Sequence, residues 1–154
     1  MSDEQLIELS LEQVEDYEFR VRFDGTAIPD LTTDEAAPLG GDAGPNPSRL
    51  LAAGVTNCLA ASLLFALRKF KNAPGNLSAK AQAHLARNEH GRWRITRIGV
   101  DLQLTDAVTA LEHVDRALAQ FEDFCIVTES VRQGIAVDVN VRDASGNVVH
   151  TSAV

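Results

Sequence analysis

The sequence predicts an α+β fold in which antiparallel sheets pack around one long central helix. Three observations carry that prediction. Apolar residues alternate at both ends of the chain, the period-two signature of half-buried strands. A single uncharged stretch, Leu50–Leu67, lies between an Asn-Pro pair and an Ala-Pro-Gly stop. Downstream, apolar residues recur at spacings of three and four. Strands, helix, hairpin, helix pair and strand in that order are α+β, not the alternating pattern of a parallel sheet.

Each element has a local reason. Ile7, Leu9 and Leu11 share one parity, and Tyr17, Phe19, Val21 and Phe23 continue it, giving one long bent strand or two consecutive ones. Asp24-Gly25 is a turn signal. Pro29–Pro47, rich in Pro, Gly, Asp and Ala, reads as a long loop with a short strand near Leu31–Asp34. Loops of that length in a compact domain are usually functional or contact a partner. Asn46 can accept free N–H groups and Pro is tolerated at the first helical position, so a helix runs from Pro47 to about Lys71. Ala79, Ala81, Ala83 and Leu85 alternate, Asn88–Gly91 turns the chain, and Trp93 with Ile95 begins a return strand. The apolar parity then moves to Ile98, Val100, Leu102 and Leu104, which predicts a β-bulge near Thr96–Arg97. Thr105 is the expected cap of a second helix carrying Val108, Leu111, Val114, Leu118 and Phe121. A shorter helix is expected from about Cys125 to Gln133, closed by Gly134. Ile135, Val137, Val139 and Val141 predict a last long strand, which Asp143–Asn147 turns into a tail strand.

The length of 154 residues suits one domain, 1–154. The net charge of −8 argues against nucleic acid as a partner, because that recognition rests on clustered Lys and Arg. The start "MSDEQLIELS" lacks the basic and apolar regions of a secretory signal. Leu50–Leu67 is interrupted by Gly54, Thr56, Asn57 and Ser62 and has no aromatic belt, so it reads as a buried helix and not a membrane span. The expected location is cytoplasmic, where a cysteine pair suggests transient redox or catalytic use and not a permanent disulfide. His84, His90, His113 and His150 show no metal spacing, and "GGDAGPNPS" lacks the Lys-Ser/Thr of a phosphate loop. No cofactor is expected. Trp93 reads as core or interface packing.

The two cysteines remain. Cys58 lies eleven residues beyond Pro47, about 16 Å along a helix. The helix macrodipole acts within the first turn. A useful nucleophile at Cys58 therefore needs a cation brought from elsewhere in the chain. Gly54, Ala61 and Ser62 make its face small, with Leu51 and Phe65 at the ends, so another element can come close. Cys125 is the natural element to do so, since a disulfide needs Cα atoms within about 7 Å. Two inert core thiols and a functional pair both fit these residues.

The block "GPNPSRLLAAGVTNCLAASL", followed by "FCIVTESV" and "GIAVDVNV", resembles the OsmC/Ohr family, the osmotically inducible protein C and organic hydroperoxide resistance group, in its OsmC-like branch. The similarity spans nearly the whole chain in order. It implies an OsmC-like fold and an intertwined homodimer with its sites at the interface, so that the Pro29–Pro47 loop faces the partner subunit. It implies a thiol peroxidase that uses no metal, haem or flavin. Cys58 would be the peroxidatic cysteine and Cys125 the resolving one. The substrate would be an organic, fatty-acid type hydroperoxide, and a dithiol of the lipoyl kind would be a candidate reductant. An OsmC-like redox sensor or apolar-ligand carrier is the alternative.

The chain departs from the family pattern in one place. The glutamate that follows Asn-Pro in the hydroperoxide-resistance branch falls on Ser48 here. Asp34, Glu35 and Asp42 are the acidic candidates to replace it, or plain loop charges. For the activating arginine, Arg22 best fits the family layout, with Arg20 and Arg49 as alternatives.

Overall fold

The computed structural model describes residues 3–153. Helices and antiparallel sheets are mixed as the α+β prediction requires, and the chain divides into two compact units. One comprises the chain up to Gly54 together with Lys80–Asp101. The other comprises Val55–Ala79 and the chain from Leu102 on.

In the first unit, β1 (Leu9–Glu15) and β2 (Glu18–Phe23) form an antiparallel hairpin with Leu9 opposite Phe23 and Leu11 opposite Val21. The alternating stretch is thus two strands, folded back at Asp16, whose φ of 46° is left-handed backbone that Asp tolerates. β3 (Leu31–Thr33) adds to β2, with Leu31 opposite Val21. Val21 is buried and Arg20 exposed, as alternation demands.

The long loop beyond β3 is organised by one carboxylate. Asp34 is buried, and it accepts N–H groups from Glu35 at 2.8 Å, Gly41 at 2.9 Å and Ala43 at 3.1 Å. A Cβ on Gly40 would overlap the Glu35 carbonyl and the Asp34 carboxylate, and one on Gly44 the Thr32 carbonyl. These glycines let the loop fold onto its own backbone. β4 (Ser78–Arg87) and β5 (Trp93–Gln103) pair as a hairpin. The Asn88 side chain accepts N–H bonds from His90 and Arg92, and Gly91 supplies the φ of 72°. Along β5 the half-buried positions switch from Ile95 to Ile98, Val100 and Leu102, the parity change seen in the sequence. Trp93 is exposed and carries the Arg87 guanidinium 4.5 Å from its ring centroid.

Helix α1 (Pro47–Lys69) starts in the first unit, where Asn46 Oδ1 accepts the Arg49 N–H at 2.9 Å. It stops before Ala73-Pro74-Gly75. Lys71 adopts φ 64°, the Lys71 N–H reaches the Arg68 carbonyl, and the Asn72 N–H reaches that of Leu67. This is a Schellman closure with Lys where Gly is usual. By length and composition α1 could cross a membrane. Its C-terminal half instead forms the core of the second unit, where Leu63, Ala66 and Leu67 bury against Ala117. Leu102, Leu104, Leu111, Val114 and Phe121 pack around that cluster.

Two expectations fail in the second unit. The helix expected from Thr105 through Phe121 is broken into a 3₁₀ turn (Val108–Ala110), α2 (Val114–Gln120) and a second 3₁₀ turn (Phe121–Phe124). Thr105 caps nothing: its hydroxyl lies against Gly75, whose N–H is bound by the Asp106 carboxylate at 2.8 Å. Glu112 gives its N–H to Asn72 Oδ1 and its carbonyl accepts from Asn72 Nδ2. A residue so engaged cannot join a helical ladder, and His113 next to it is left-handed at φ 51°. The last strand is also shorter than expected. After α3 (Ile126–Gln133), closed by Gly134, β6 spans only Asp138–Arg142, and Ile135 and Val137 lie exposed outside it. β6 pairs with β7 (Val148–Ala153) across a turn in which the Asp143 carboxylate accepts the Ser145 and Asn147 N–H groups.

Candidate active site

The second unit brings the two cysteines together. Cys58 sits mid-way along α1 and is half-buried, whereas Cys125 is fully buried at the N-cap of α3. The elements that place them follow from the core just described. Ser62, Leu63, Ala66 and Leu67 pin α1, and the Phe121–Phe124 turn delivers Cys125 to the face that carries Cys58 and Ser62.

Cys125 is held by a small set of polar groups. Its sulfur is 2.9 Å from Thr128 Oγ1, one turn further along α3. Burial pushes the Cys125 thiol up. Hydrogen bonds from the Cys58 side chain, the Thr128 hydroxyl and N–H and the Ser62 side chain outweigh it, leaving the thiol below its ordinary value. Both cysteines are free thiols.

A pocket of about 370 Å³ opens beside Cys58, lined by Cys58, Ala61, Ser62, Phe65, Phe124 and Ile126. Its walls are mainly apolar. Phe65 and Phe124 meet edge to face, 5.2 Å between centroids at 69°. Lys69 places its ammonium 5.3 Å from the centre of the Phe124 ring. The pocket therefore offers a thiol at the edge of an aromatic, mostly apolar wall. That suits an apolar molecule carrying one reactive polar atom.

The small face read around Cys58 is the one that closes on Cys125, with Ser62 and Ala61 at the pocket. Phe124, Ile126 and Thr128 were not singled out in the sequence. Thr128 carried only a spacing signal: three residues along a helix bring a side chain round to the same side as Cys125. Arg22 lies on β2 and pairs with Glu12 at 2.9 Å and Asp30 at 3.8 Å. Arg20 stands opposite Glu12 and Thr32 in the same sheet. Arg49 and Ser48 lie in the first turn of α1. Asp34 spends both carboxylate oxygens on its own loop, and the Ala43 and Gly41 N–H groups hold its pKa below the ordinary carboxylate value. Asp42 is exposed in that loop and Glu35 half-buried.

The family model for OsmC-like proteins matches residues 40–140, a span that contains α1, both cysteines and the pocket. The chain belongs to the OsmC-like family. Solved structures agree with this fold at low identity. An OsmC-like protein of unknown function from Vibrio cholerae superposes with a TM-score of 0.66 at 12% identity, covering 82% of this chain and 94% of that one. The OsmC-like protein of Mycoplasma pneumoniae gives 0.66 at 14%, covering 87% and 91%. An organic hydroperoxide resistance protein from Elizabethkingia anophelis gives 0.57 at 18%, covering 88% and 94%. No curated protein matches the sequence.

Proposed function

We propose that this OsmC-like protein is a cysteine-based peroxidase for organic hydroperoxides, with Cys58 as the peroxidatic and Cys125 as the resolving cysteine. One observation carries the reading: two free thiols, Cys58 on the wall of an apolar pocket and Cys125 buried near enough for the Cys58 side chain to lower its pKa. The Elizabethkingia neighbour, named for organic hydroperoxide resistance, supports the class of reaction.

The Cys58 thiolate attacks the distal oxygen of the hydroperoxide. The O–O bond breaks, Cys58 becomes a sulfenic acid, and the alkoxide takes a proton and leaves as the alcohol. The Cys125 thiolate then attacks the Cys58 sulfur. A disulfide forms, and hydroxide leaves with a proton as water. A dithiol reductant opens the disulfide by thiol exchange and is itself oxidised. The peroxide is reduced by two electrons and the dithiol supplies them. Arg22 is the activating cation that the family resemblance assigns, and its replacement by Ala would lower the rate of the first step while leaving the second. The resemblance also implies a cytoplasmic homodimer built from one OsmC-like domain per chain. The exposed Leu9 and Leu11 on β1 and Val139, Val141 and Val149 on β6 and β7 support burial of these strands in such an assembly.

Stopped-flow oxidation of the reduced protein tests the proposal. Cumene or linoleic hydroperoxide should consume one dithiol per chain, Cys58→Ser should abolish the reaction, and Phe124→Ala should slow it more for these peroxides than for hydrogen peroxide. Absence of any thiol loss within minutes would reject the peroxidase. The second reading, an apolar-ligand carrier or redox sensor, is favoured by Ser48 standing where the hydroperoxide-resistance branch has its glutamate. A lipid-like mass retained in native mass spectrometry, together with inert thiols, would support it.

A further inference from the structure

We propose that Thr128 is a positioning residue for the second step: its buried hydroxyl, opposed by Ser62 on α1, holds the Cys125 sulfur aimed at Cys58 and supplies the hydrogen bond its thiolate requires. This rests on the disulfide cycle proposed above.

The geometry is specific. Cys125 has no exposed surface, and Thr128 and Ser62 are 5% and 6% exposed. Water therefore cannot reach the Cys125 sulfur to solvate a charge, so any donor to it must be built into the protein. Four are present. The Thr128 hydroxyl lies 2.9 Å away, one turn along α3, with the Thr128 N–H beside it; Ser62 approaches from α1, and the Cys58 side chain completes the set. A hydroxyl is the group that serves both protonation states. The neutral thiol donates to Thr128 Oγ1; once ionised, the sulfur accepts from the same hydroxyl after a rotation of its hydrogen. β-Branching restricts the χ1 of Thr128, so the oxygen stays where it is needed.

The donors matter at one moment. When Cys58 carries a sulfenic acid, the Cys58 thiol no longer donates to Cys125, and Thr128 with Ser62 must keep the thiolate poised. The Cys125 sulfur then forms the S–S bond as the S–O bond of the sulfenate breaks and hydroxide departs as water. A site without the Thr128 hydroxyl would hold a smaller fraction of Cys125 as thiolate at that moment and let the sulfenic acid persist longer.

The test separates this claim from the peroxidase itself. In Cys58→Ser protein Cys125 is the sole thiol, and its ionisation is read directly by thiolate absorbance against pH. Adding Thr128→Val, which keeps the shape and removes the hydroxyl, should raise the midpoint by on the order of one pH unit, and Thr128→Ser should restore it. Should Thr128→Val not fold, Thr128→Ala carries the same expectation. With both cysteines present, the hydroperoxide-generated sulfenic acid trapped by dimedone should live about tenfold longer at pH 7 in Thr128→Val, by the same shift in ionised fraction. An unmoved midpoint, or Thr128→Ser behaving as Thr128→Val, would overturn the role of the hydroxyl. If no hydroperoxide oxidises Cys58, the peroxidase reading fails, and the midpoint alone then decides whether Thr128 governs this thiol.

Discussion

Replacing Leu67 by Ala probes the joint on which the site depends. Leu67 has no exposed surface and packs at the centre of the cluster formed with Leu63, Ala66 and Ala117. The substitution removes Cγ and both Cδ carbons from a fully buried position. Their transfer alone is worth about 2.4 kcal/mol at roughly 0.8 kcal/mol per carbon. The unfilled space adds to this, since the neighbours belong to two helices and collapse only in part. A total of about 3 to 4 kcal/mol follows. Urea unfolding followed by circular dichroism should show a midpoint lowered by roughly 2 M at an unchanged slope. The same change loosens α1 against the segment that leads to Cys125, so disulfide formation after a peroxide pulse should also slow. A loss below about 1 kcal/mol would refute the placement of this cluster as the core of the second unit.

Other positions give sharper local outcomes. Gly40→Ala should destabilise by about 1 to 3 kcal/mol, because its Cβ would overlap the Glu35 carbonyl; Gly41→Ala, whose nearest neighbour would be Asp34 Oδ2 at an ordinary 3.6 Å, should be nearly silent in the same thermal melt. Asp34 is depressed in the folded state, so its stabilising contribution is complete above the ordinary carboxylate range and disappears as pH falls through the lower folded value. Limited proteolysis of the 34–43 loop across pH 2 to 6 should therefore show increasing cleavage toward acid in the natural protein and little pH dependence in Asp34→Asn, which should already be looser at pH 7.

Much of the fold was readable because its determinants are local. Asn46-Pro47 starts α1 by chemistry confined to one turn, and Asn88–Gly91 and Asp143–Asn147 are turns that bind their own backbone. Gly134 closes α3 for the same kind of reason. The small face of α1 was likewise legible, since residues three and four apart must share a side of a helix. It correctly marked where a second element approaches Cys58.

What the sequence by itself determined is therefore the set of elements with local causes, and the pairing of a small helical face with a second cysteine. Tertiary structure alone decided where those local preferences lost. The period-three-and-four pattern from Val108 to Phe121 asks for one helix, but Asn72, forty residues upstream of Glu112, takes both of that residue's backbone groups and breaks it. The break frees a second 3₁₀ turn to present Cys125, and folding then sets Thr128 and Ser62 around its sulfur. The physical reason is one of range: a turn or cap is satisfied within a few residues, whereas a buried thiol's partners and a backbone group's competitor arrive only when distant segments pack.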